Sequence, residues 1–118
     1  MIADLWLPYP PSVNAYYGRN RYTVYVKKAG KDYTSAVQEA VADQCPGLKF
    51  EGPVSVVIRL CPPLTRRKRD LDNCLKILLD SLTAAGLWSD DSQVTELRVC
   101  WGEERPNACN VAVRAVSG

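Results

Sequence analysis

The chain has 118 residues, of which 47% are hydrophobic and 24% charged, and its formal net charge is +2. This length and composition predict one globular domain spanning residues 1–118 and exclude disorder as the dominant state and a collagen-like or coiled-coil rod. No apolar run approaches the roughly 18 residues that a membrane helix needs. The first residues lack the basic start and apolar stretch of a signal peptide. The sequence therefore predicts a cytoplasmic protein with no membrane segment.

The residue types that are missing exclude several kinds of site. The chain has no histidine, which rules out His-based catalytic triads and His-ligated zinc. It has five cysteines, none in a Cys-x-x-Cys pair, so neither a disulfide framework nor a zinc ribbon is expected. The cysteines are expected to be buried apolar side chains in a reducing compartment. Glycine-rich nucleotide-binding motifs are also missing.

Hydrophobic periodicity predicts a chain of alternating strands and helices. In order, the predicted elements are a strand at 2–7, a long loop at 8–21, a strand at 22–26, a helix that Asp32 caps after a break at Gly30 and that runs to about Gln44, a strand at 54–60, a helix from about Leu71 to Ala85, and strands at 94–101 and 110–116. This order predicts an α/β or α+β two-layer fold. We expect a mixed sheet of about four strands with two helices on one face.

The most unusual segment is 66–76, in which four consecutive cations lead into an Asp-x-Asp at a predicted helix start. Asp70 and Asp72 fall in or just before the first turn, where the helix dipole favours negative charge. Lys76 lies four residues after Asp72, on the same helical face. A capped helix beside a solvated basic loop is the plainer interpretation. However, a cap needs one carboxylate, and this segment has two beside a basic run.

A second acidic pair, Asp90 and Asp91, follows this helix and precedes a strand. If that strand pairs with the strand before the helix, Asp91 returns towards Asp70 and Asp72. Three clustered carboxylates repel one another, and a hard cation such as Mg²⁺ or Mn²⁺ relieves the repulsion through oxygen ligands. A metal held in this way activates water and neutralises a phosphate. The chemistry that fits is metal-dependent phosphodiester hydrolysis of a nucleic acid, with no small-molecule cofactor besides the metal.

Three segments of the sequence resemble the RusA family of Holliday junction resolvases. They are residues 7–17 (LPYPPSVNAYY), 66–80 (RRKRDLDNCLKILLD) and 86–94 (GLWSDDSQV). Their order and spacing extend over nearly the whole chain. The resemblance implies a homodimer that binds four-way DNA junctions and nicks two strands symmetrically, with Mg²⁺ or Mn²⁺, in homologous recombination and DNA repair.

The resemblance also implies the residues that do this. Asp70, Asp72, Lys76 and Asp91 are the expected catalytic residues, and the three aspartates are the expected metal ligands. Lys76 is expected to stabilise charge on the scissile phosphate or to position water. Asp90 is expected to be a bystander to Asp91, and binding of the metal by either aspartate stays open. The predicted DNA-binding residues, most of them basic, are Arg66, Arg67, Lys68, Arg69, Asn14, Arg19, Arg21 and Asn73.

Two other hypotheses remain open at the level of the sequence. In the first, the protein binds branched DNA without cutting it, and the Asp-x-Asp only caps a helix. In the second, the protein is a structural dimer within a larger assembly and has no role on DNA. The homodimer itself matches the two-fold symmetry of a four-way junction. Trp6, Trp88 and Trp101 are expected to supply exposed apolar surface for it. Two copies of residues 66–69 are expected to form one continuous basic surface.

Overall fold

The computed structural model describes residues 2–11, 17–19, 24–63 and 74–116. Its elements, in chain order, are β1 (Ile2–Pro8), β2 (Tyr17–Arg19), β3 (Val24–Val26), α1 (Lys28–Gln44), β4 (Val54–Cys61), α2 (Leu75–Ala84), a 3₁₀ helix (Asp91–Gln93), β5 (Val94–Trp101) and β6 (Ala108–Ala115). The described strands form a four-stranded sheet in the order β1-β6-β4-β5 and a separate β2-β3 ribbon. The predicted α+β fold, a mixed four-stranded sheet with two helices, is confirmed.

The sheet is mixed because only one of its pairs is parallel. β6 runs antiparallel to both β1 and β4, whereas β4 and β5 are parallel, with Val54 opposite Val94 and Leu60 opposite Trp101. A parallel pair needs a crossover connection, and α2 lies within that connection. The predicted pairing of the strand at 94–101 with the strand at 54–60 is therefore confirmed.

Alternation along the strands places apolar side chains on one face of the sheet, where α1 and α2 cover them. Val37 and Val41 of α1 and Leu78 and Leu82 of α2 are buried against this face. Each such side chain contributes about 1.5–3 kcal/mol when it is fully buried. The buried strand residues on this face are Ala3, Leu5, Leu7, Val54, Val56, Ile58, Leu60, Cys109, Val111 and Val113.

The start of α1 differs from the prediction. The helix begins at Lys28, and Gly30 lies buried in its first turn instead of breaking the chain. Asp32 is not the cap; its carboxylate pairs with Lys28 Nζ at 3.2 Å. One glycine inside a helix costs about 1 kcal/mol relative to alanine. Burial of Tyr33 and Val37 on the same helix outweighs that cost.

The predicted loop at 8–21 contains a strand that the sequence analysis missed. Tyr17–Arg19 pairs antiparallel with Val24–Val26, which confirms the last three residues of the strand predicted at 22–26; its first two lie outside the described residues. A Cβ added to Gly18 would lie 2.4 Å from a ring carbon of Tyr25. The glycine therefore allows the two strands to approach each other under the Tyr25 ring. Because it lies in a segment rich in proline and asparagine, the segment has the composition of a loop and its strand was not predicted.

The tryptophans do not behave alike. Trp88 is fully buried, and its indole Nε1 donates a hydrogen bond of 2.7 Å to Thr83 Oγ1, so its expected place on a dimer surface is wrong. Trp6 is half-buried with Arg105 stacked 4.3 Å from its ring centre. Trp101 is 43% exposed, as expected.

The cysteines are all free thiols, and three of them are buried, Cys61, Cys74 and Cys109. No helix in the described part of the chain is long and apolar enough to cross a membrane.

Candidate active site

The β4–α2–β5 crossover determines where the candidate residues lie. Cys74, the residue before α2, is buried. Burial raises the pKa of Cys109, and the nearby thiols of Cys74 and Cys61 raise it further. Cys109 lies opposite Leu60 near the carboxyl end of β4, so Cys74 lies near that end as well. The other end of α2 leads to Leu87, whose carbonyl accepts a hydrogen bond of 2.8 Å from Phe50 N. Thus α2 begins at the carboxyl end of β4 and returns to its amino end.

Most of the predicted site residues precede α2 and lie outside the described residues. These are Asp70 and Asp72, with the predicted DNA contacts Asn14, Arg21, Arg66, Arg67, Lys68, Arg69 and Asn73. Arg19 is described only through its backbone, as the last residue of β2. Lys76 and Asp91 are the catalytic candidates whose side chains the structure describes.

Lys76 is an exposed residue in the first turn of α2. Its Nζ lies 3.0 Å from Asp80 Oδ2, an ion pair one helical turn along. The predicted proximity of Lys76 to Asp72 stays a prediction because Asp72 is not described. No ion pair joins Lys76 to Asp91, two residues that the structure does describe.

Asp91 is the first residue of the 3₁₀ helix at the amino end of β5, and it is exposed. Within the described residues, its carboxylate forms neither a hydrogen bond nor an ion pair. An exposed, unpaired carboxylate remains available to a cation. The structure describes this one member of the expected carboxylate set, and no group of three potential metal ligands occurs among the described residues.

The neighbouring Asp90 is committed to the backbone of its own turn. Its carboxylate accepts hydrogen bonds from the Ser92 backbone N, at 3.3 Å, and from Ser92 Oγ. These hydrogen bonds, the side-chain one first, hold the pKa of Asp90 below its usual value. They stabilise the carboxylate where it caps the 3₁₀ helix. The structure thus separates two adjacent aspartates: Asp90 caps the turn, and the Asp91 carboxylate has no partner in the described part of the chain.

Gln93 completes the same turn, and the sequence analysis did not single it out. Its Oε1 accepts hydrogen bonds from Ser89 N at 2.8 Å and from Asp90 N at 3.2 Å. Its Nε2 donates to the carbonyls of Phe50 and Gly52, both at 2.9 Å. The spacing of Asp90 and Gln93 is that of a capping box, and this spacing was readable from the sequence.

Comparison with known protein families matches the chain to one family of endodeoxyribonucleases. The sequence profile described as "Endodeoxyribonuclease RusA" matches residues 8–114, and the chain belongs to this RusA family. The match extends from the end of β1 through β6 and includes every segment of the candidate site. The family suggested by the sequence is therefore confirmed.

Individual relatives agree with the family match. The chain is 41% identical over 96 residues to a protein of Escherichia coli (strain K12) named "Crossover junction endodeoxyribonuclease RusA", which covers 81% of this chain and 79% of the relative. It is 40% identical over 96 residues to a protein of that name from Shigella sonnei (strain Ss046), with the same coverage. A relative from Enterobacteria phage 82, with the same name, is 40% identical over 93 residues, or 79% of this chain and 77% of that protein.

Proposed function

We propose that this protein is a metal-dependent endonuclease that resolves four-way DNA junctions by paired, symmetric nicks during recombination and repair. The observation that carries the proposal is the kinship with crossover junction endodeoxyribonucleases over about four-fifths of the chain. The free carboxylate of Asp91, within one of the segments that carry the family resemblance, supports it.

The donor set fits a hard divalent cation. Asp70, Asp72 and Asp91 offer only carboxylate oxygens, which Mg²⁺ and Mn²⁺ prefer, and the chain has no histidine to favour a softer metal. Asp91 is exposed, and no described side chain forms an ion pair with its carboxylate. Asp91 lies at the amino end of β5, whereas α2, which Asp70 and Asp72 precede in the sequence, begins at the carboxyl end of the parallel β4. An ion shared by the three aspartates would therefore take Asp91 from one copy of the chain and Asp70 and Asp72 from its partner. When bound, the ion would neutralise phosphate charge and lower the pKa of a coordinated water.

The basic residues of the chain act on the DNA. Lys76 directs its ammonium group at the scissile phosphate. Its ion pair with Asp80, at 3.0 Å, holds the side chain along the helix face in the absence of DNA. Residues 66–69 contact backbone phosphates, which gives salt-dependent affinity with little sequence choice.

A homodimer supplies the second nick. β5 is one of the two edge strands of the described four-stranded sheet, and it carries an apolar row of Leu97, Val99 and Trp101. Leu97 is 44% and Trp101 43% exposed. A second copy of the chain, related by a two-fold axis, buries this row twice and matches the approximate two-fold symmetry of a four-way junction.

A synthetic four-way junction tests the function. The wild-type protein is expected to cut it into two nicked duplexes with Mg²⁺ and to bind it uncut with a chelator present. Asp91→Asn and Asp70→Asn are each expected to lower the cleavage rate by more than about 100-fold, because even residues that only support metal ligands are worth about 10–100-fold. Both variants should keep junction affinity, since removing a negative charge near phosphate does not weaken binding.

Asp32→Asn is the matched control, since Asp32 is an exposed aspartate on α1 paired with Lys28. It is expected to cleave like the wild type. A wild-type protein that binds junctions but never cuts them with Mg²⁺ or Mn²⁺ would instead be a non-catalytic branched-DNA-binding protein. Cleavage by Asp91→Asn at the wild-type rate would remove Asp91 from the site.

A further inference from the structure

The side-chain amide of Gln93 uses its full hydrogen-bonding capacity on backbone groups. A glutamine amide offers two acceptor positions on its oxygen and two N–H donors. Oε1 of Gln93 accepts from Ser89 N and Asp90 N, and Nε2 donates to the carbonyls of Phe50 and Gly52. All four partners are backbone atoms, so the contacts hold the path of the chain and are independent of the side chains of those residues.

These four bonds join two segments that are distant in the sequence. The two accepted bonds close the turn 89–93 upon itself. The two donated bonds tie that turn to residues 50–52, which lead into β4. Asp91 lies inside the closed turn, one residue after Asp90 and two before Gln93. Its own side chain takes no part in holding the turn.

We infer that Gln93 is a positioning residue for Asp91, an inference that rests on the function proposed above. Gln93 fixes the backbone on which the Asp91 carboxylate is presented, while Asp90 caps the turn. A ligand on a fixed backbone binds a metal without first losing conformational freedom, and supporting residues of this kind are typically worth about 10–100-fold in metal affinity or activity.

The chain provides a matched control in Gln44, the last residue of α1. Its Oε1 accepts from Trp6 N at 2.9 Å and its Nε2 donates to Trp6 O at 2.8 Å. Gln44 therefore also bridges two elements through backbone hydrogen bonds, but it does so at β1, away from the turn that carries Asp91. Loss of either glutamine removes side-chain to backbone bonds, and only Gln93 is connected to Asp91.

The test measures Mn²⁺ binding to the protein alone by calorimetric titration, and junction cleavage across Mg²⁺ concentrations. Gln93→Met keeps the length of the side chain and removes all four hydrogen bonds. It is expected to weaken Mn²⁺ binding about tenfold or more and to raise the Mg²⁺ concentration for half-maximal cleavage by a similar factor. High Mg²⁺ should restore much of the cleavage rate. Gln44→Met should leave both metal measurements unchanged.

Gln93→Glu provides a second test in case Gln93→Met does not fold. Its carboxylate still accepts from Ser89 N and Asp90 N, but it cannot donate to the Phe50 and Gly52 carbonyls. The added negative charge alone would tighten Mn²⁺ binding, so weaker binding by this variant is attributable to the lost tie to residues 50–52. Mn²⁺ binding by Gln93→Glu that is tighter than in the wild type, as the added charge alone predicts, overturns the inference.

Asp91→Asn separates this inference from the function on which it rests. If Asp91→Asn binds Mn²⁺ and cleaves like the wild type, the proposed site is wrong at Asp91, and the role of Gln93 fails with it. If Asp91→Asn loses both activities while folded Gln93→Met keeps wild-type metal affinity, only the positioning role is refuted. Equal effects of Gln93→Met and Gln44→Met on the metal requirement would also refute it.

Discussion

Val56 and Leu97 are register partners on the parallel strands β4 and β5, yet Val56 is fully buried and Leu97 is 44% exposed. Both side chains point to the helix-covered side of the sheet. The helix layer covers β1, β6 and β4, and no residue of β5 is buried in the described chain. The apolar residues of β5 therefore lie on the same face as the buried residues of β4 but outside the area that the helices cover. A second copy of the chain can cover them there.

We predict that Leu97→Glu disrupts the homodimer. Leu97 has 44% of its surface left to bury, so its burial in a dimer contributes about 0.7–1.3 kcal/mol in each copy. A two-fold interface contains the residue twice, and a buried glutamate adds a desolvation cost, so the dimer dissociation constant should rise at least about tenfold. Stability of the isolated fold should change little, because Leu97 is exposed. Sedimentation equilibrium measures the association, and four-way junctions treated with the variant should accumulate single nicks.

Val57→Glu is the control for this change. Val57 is 41% exposed, much like Leu97, but it lies on the opposite face of the sheet, in β4. The Val57→Glu variant should remain dimeric if the apolar row on β5 is the interface. A wild-type protein that is monomeric at micromolar concentration and still resolves junctions would contradict the dimer, and dissociation by Val57→Glu alone would place it on the other face.

The two adjacent aspartates should respond differently to the same change. Asp90→Asn keeps an oxygen that caps the turn as well as aspartate does, so cleavage should stay within about twofold of the wild type, whereas Asp91→Asn should abolish it. Asp90→Ala removes the cap and should lower the melting temperature. The pKa of Asp90 is lowered in the folded protein. The decrease in melting temperature caused by Asp90→Ala should therefore be present at neutral pH and should disappear as the pH falls through the folded-state pKa of Asp90.

Differential scanning fluorimetry at pH 7 and in acid, together with junction cleavage, checks the roles of both residues. Loss of cleavage in Asp90→Asn with an unchanged melting temperature would contradict the assignment, since it would make Asp90 a functional ligand and not a cap.

Period-two alternation predicted the strands of the main sheet well, because a strand with one buried face must alternate. The missed strand β2 lacks that constraint: it is three residues long and lies in the separate β2-β3 ribbon. The start of α1 was missed for a different reason. Local propensity favours a break at Gly30, and only the tertiary burial of that turn overrides it.

For the candidate site, the residue types could be predicted from the sequence, whereas the separate roles of neighbouring residues depend on the fold. The acidic pair at 90–91 was identified from the sequence. Which of the two aspartates caps the turn depends on the hydrogen bonds that Ser92 and Gln93 form in it. The capping-box spacing was readable along the chain. The bonds from Gln93 to Phe50 and Gly52 span 43 and 41 residues, and no local pattern encodes such contacts.

The last prediction concerns the pH dependence of stability. Burial, followed by the neighbouring Cys74 thiol, raises the pKa of Cys109 to about 12, from an ordinary value of 9.0. The unfolded chain therefore releases this proton above pH 9, whereas the folded chain retains it. Stability should fall as the pH rises from 9 towards 12, by up to about 1.4 kcal/mol per pH unit from this group. Urea unfolding at pH 7, 9 and 11 measures the fall.

Cys109→Ala should be less stable than the wild type at pH 7, because it leaves a small cavity, but its stability should fall less steeply between pH 9 and 11. The difference in the free energy of unfolding between the wild type and Cys109→Ala should therefore narrow by about 2–3 kcal/mol from pH 9 to pH 11. Val111→Ala is the matched control: Val111 is a fully buried neighbour on β6 that does not titrate, and its variant should lose the same stability at every pH. Parallel pH profiles for the wild type and Cys109→Ala would mean that the thiol ionises as readily in the folded protein as in the unfolded chain, and would contradict the prediction.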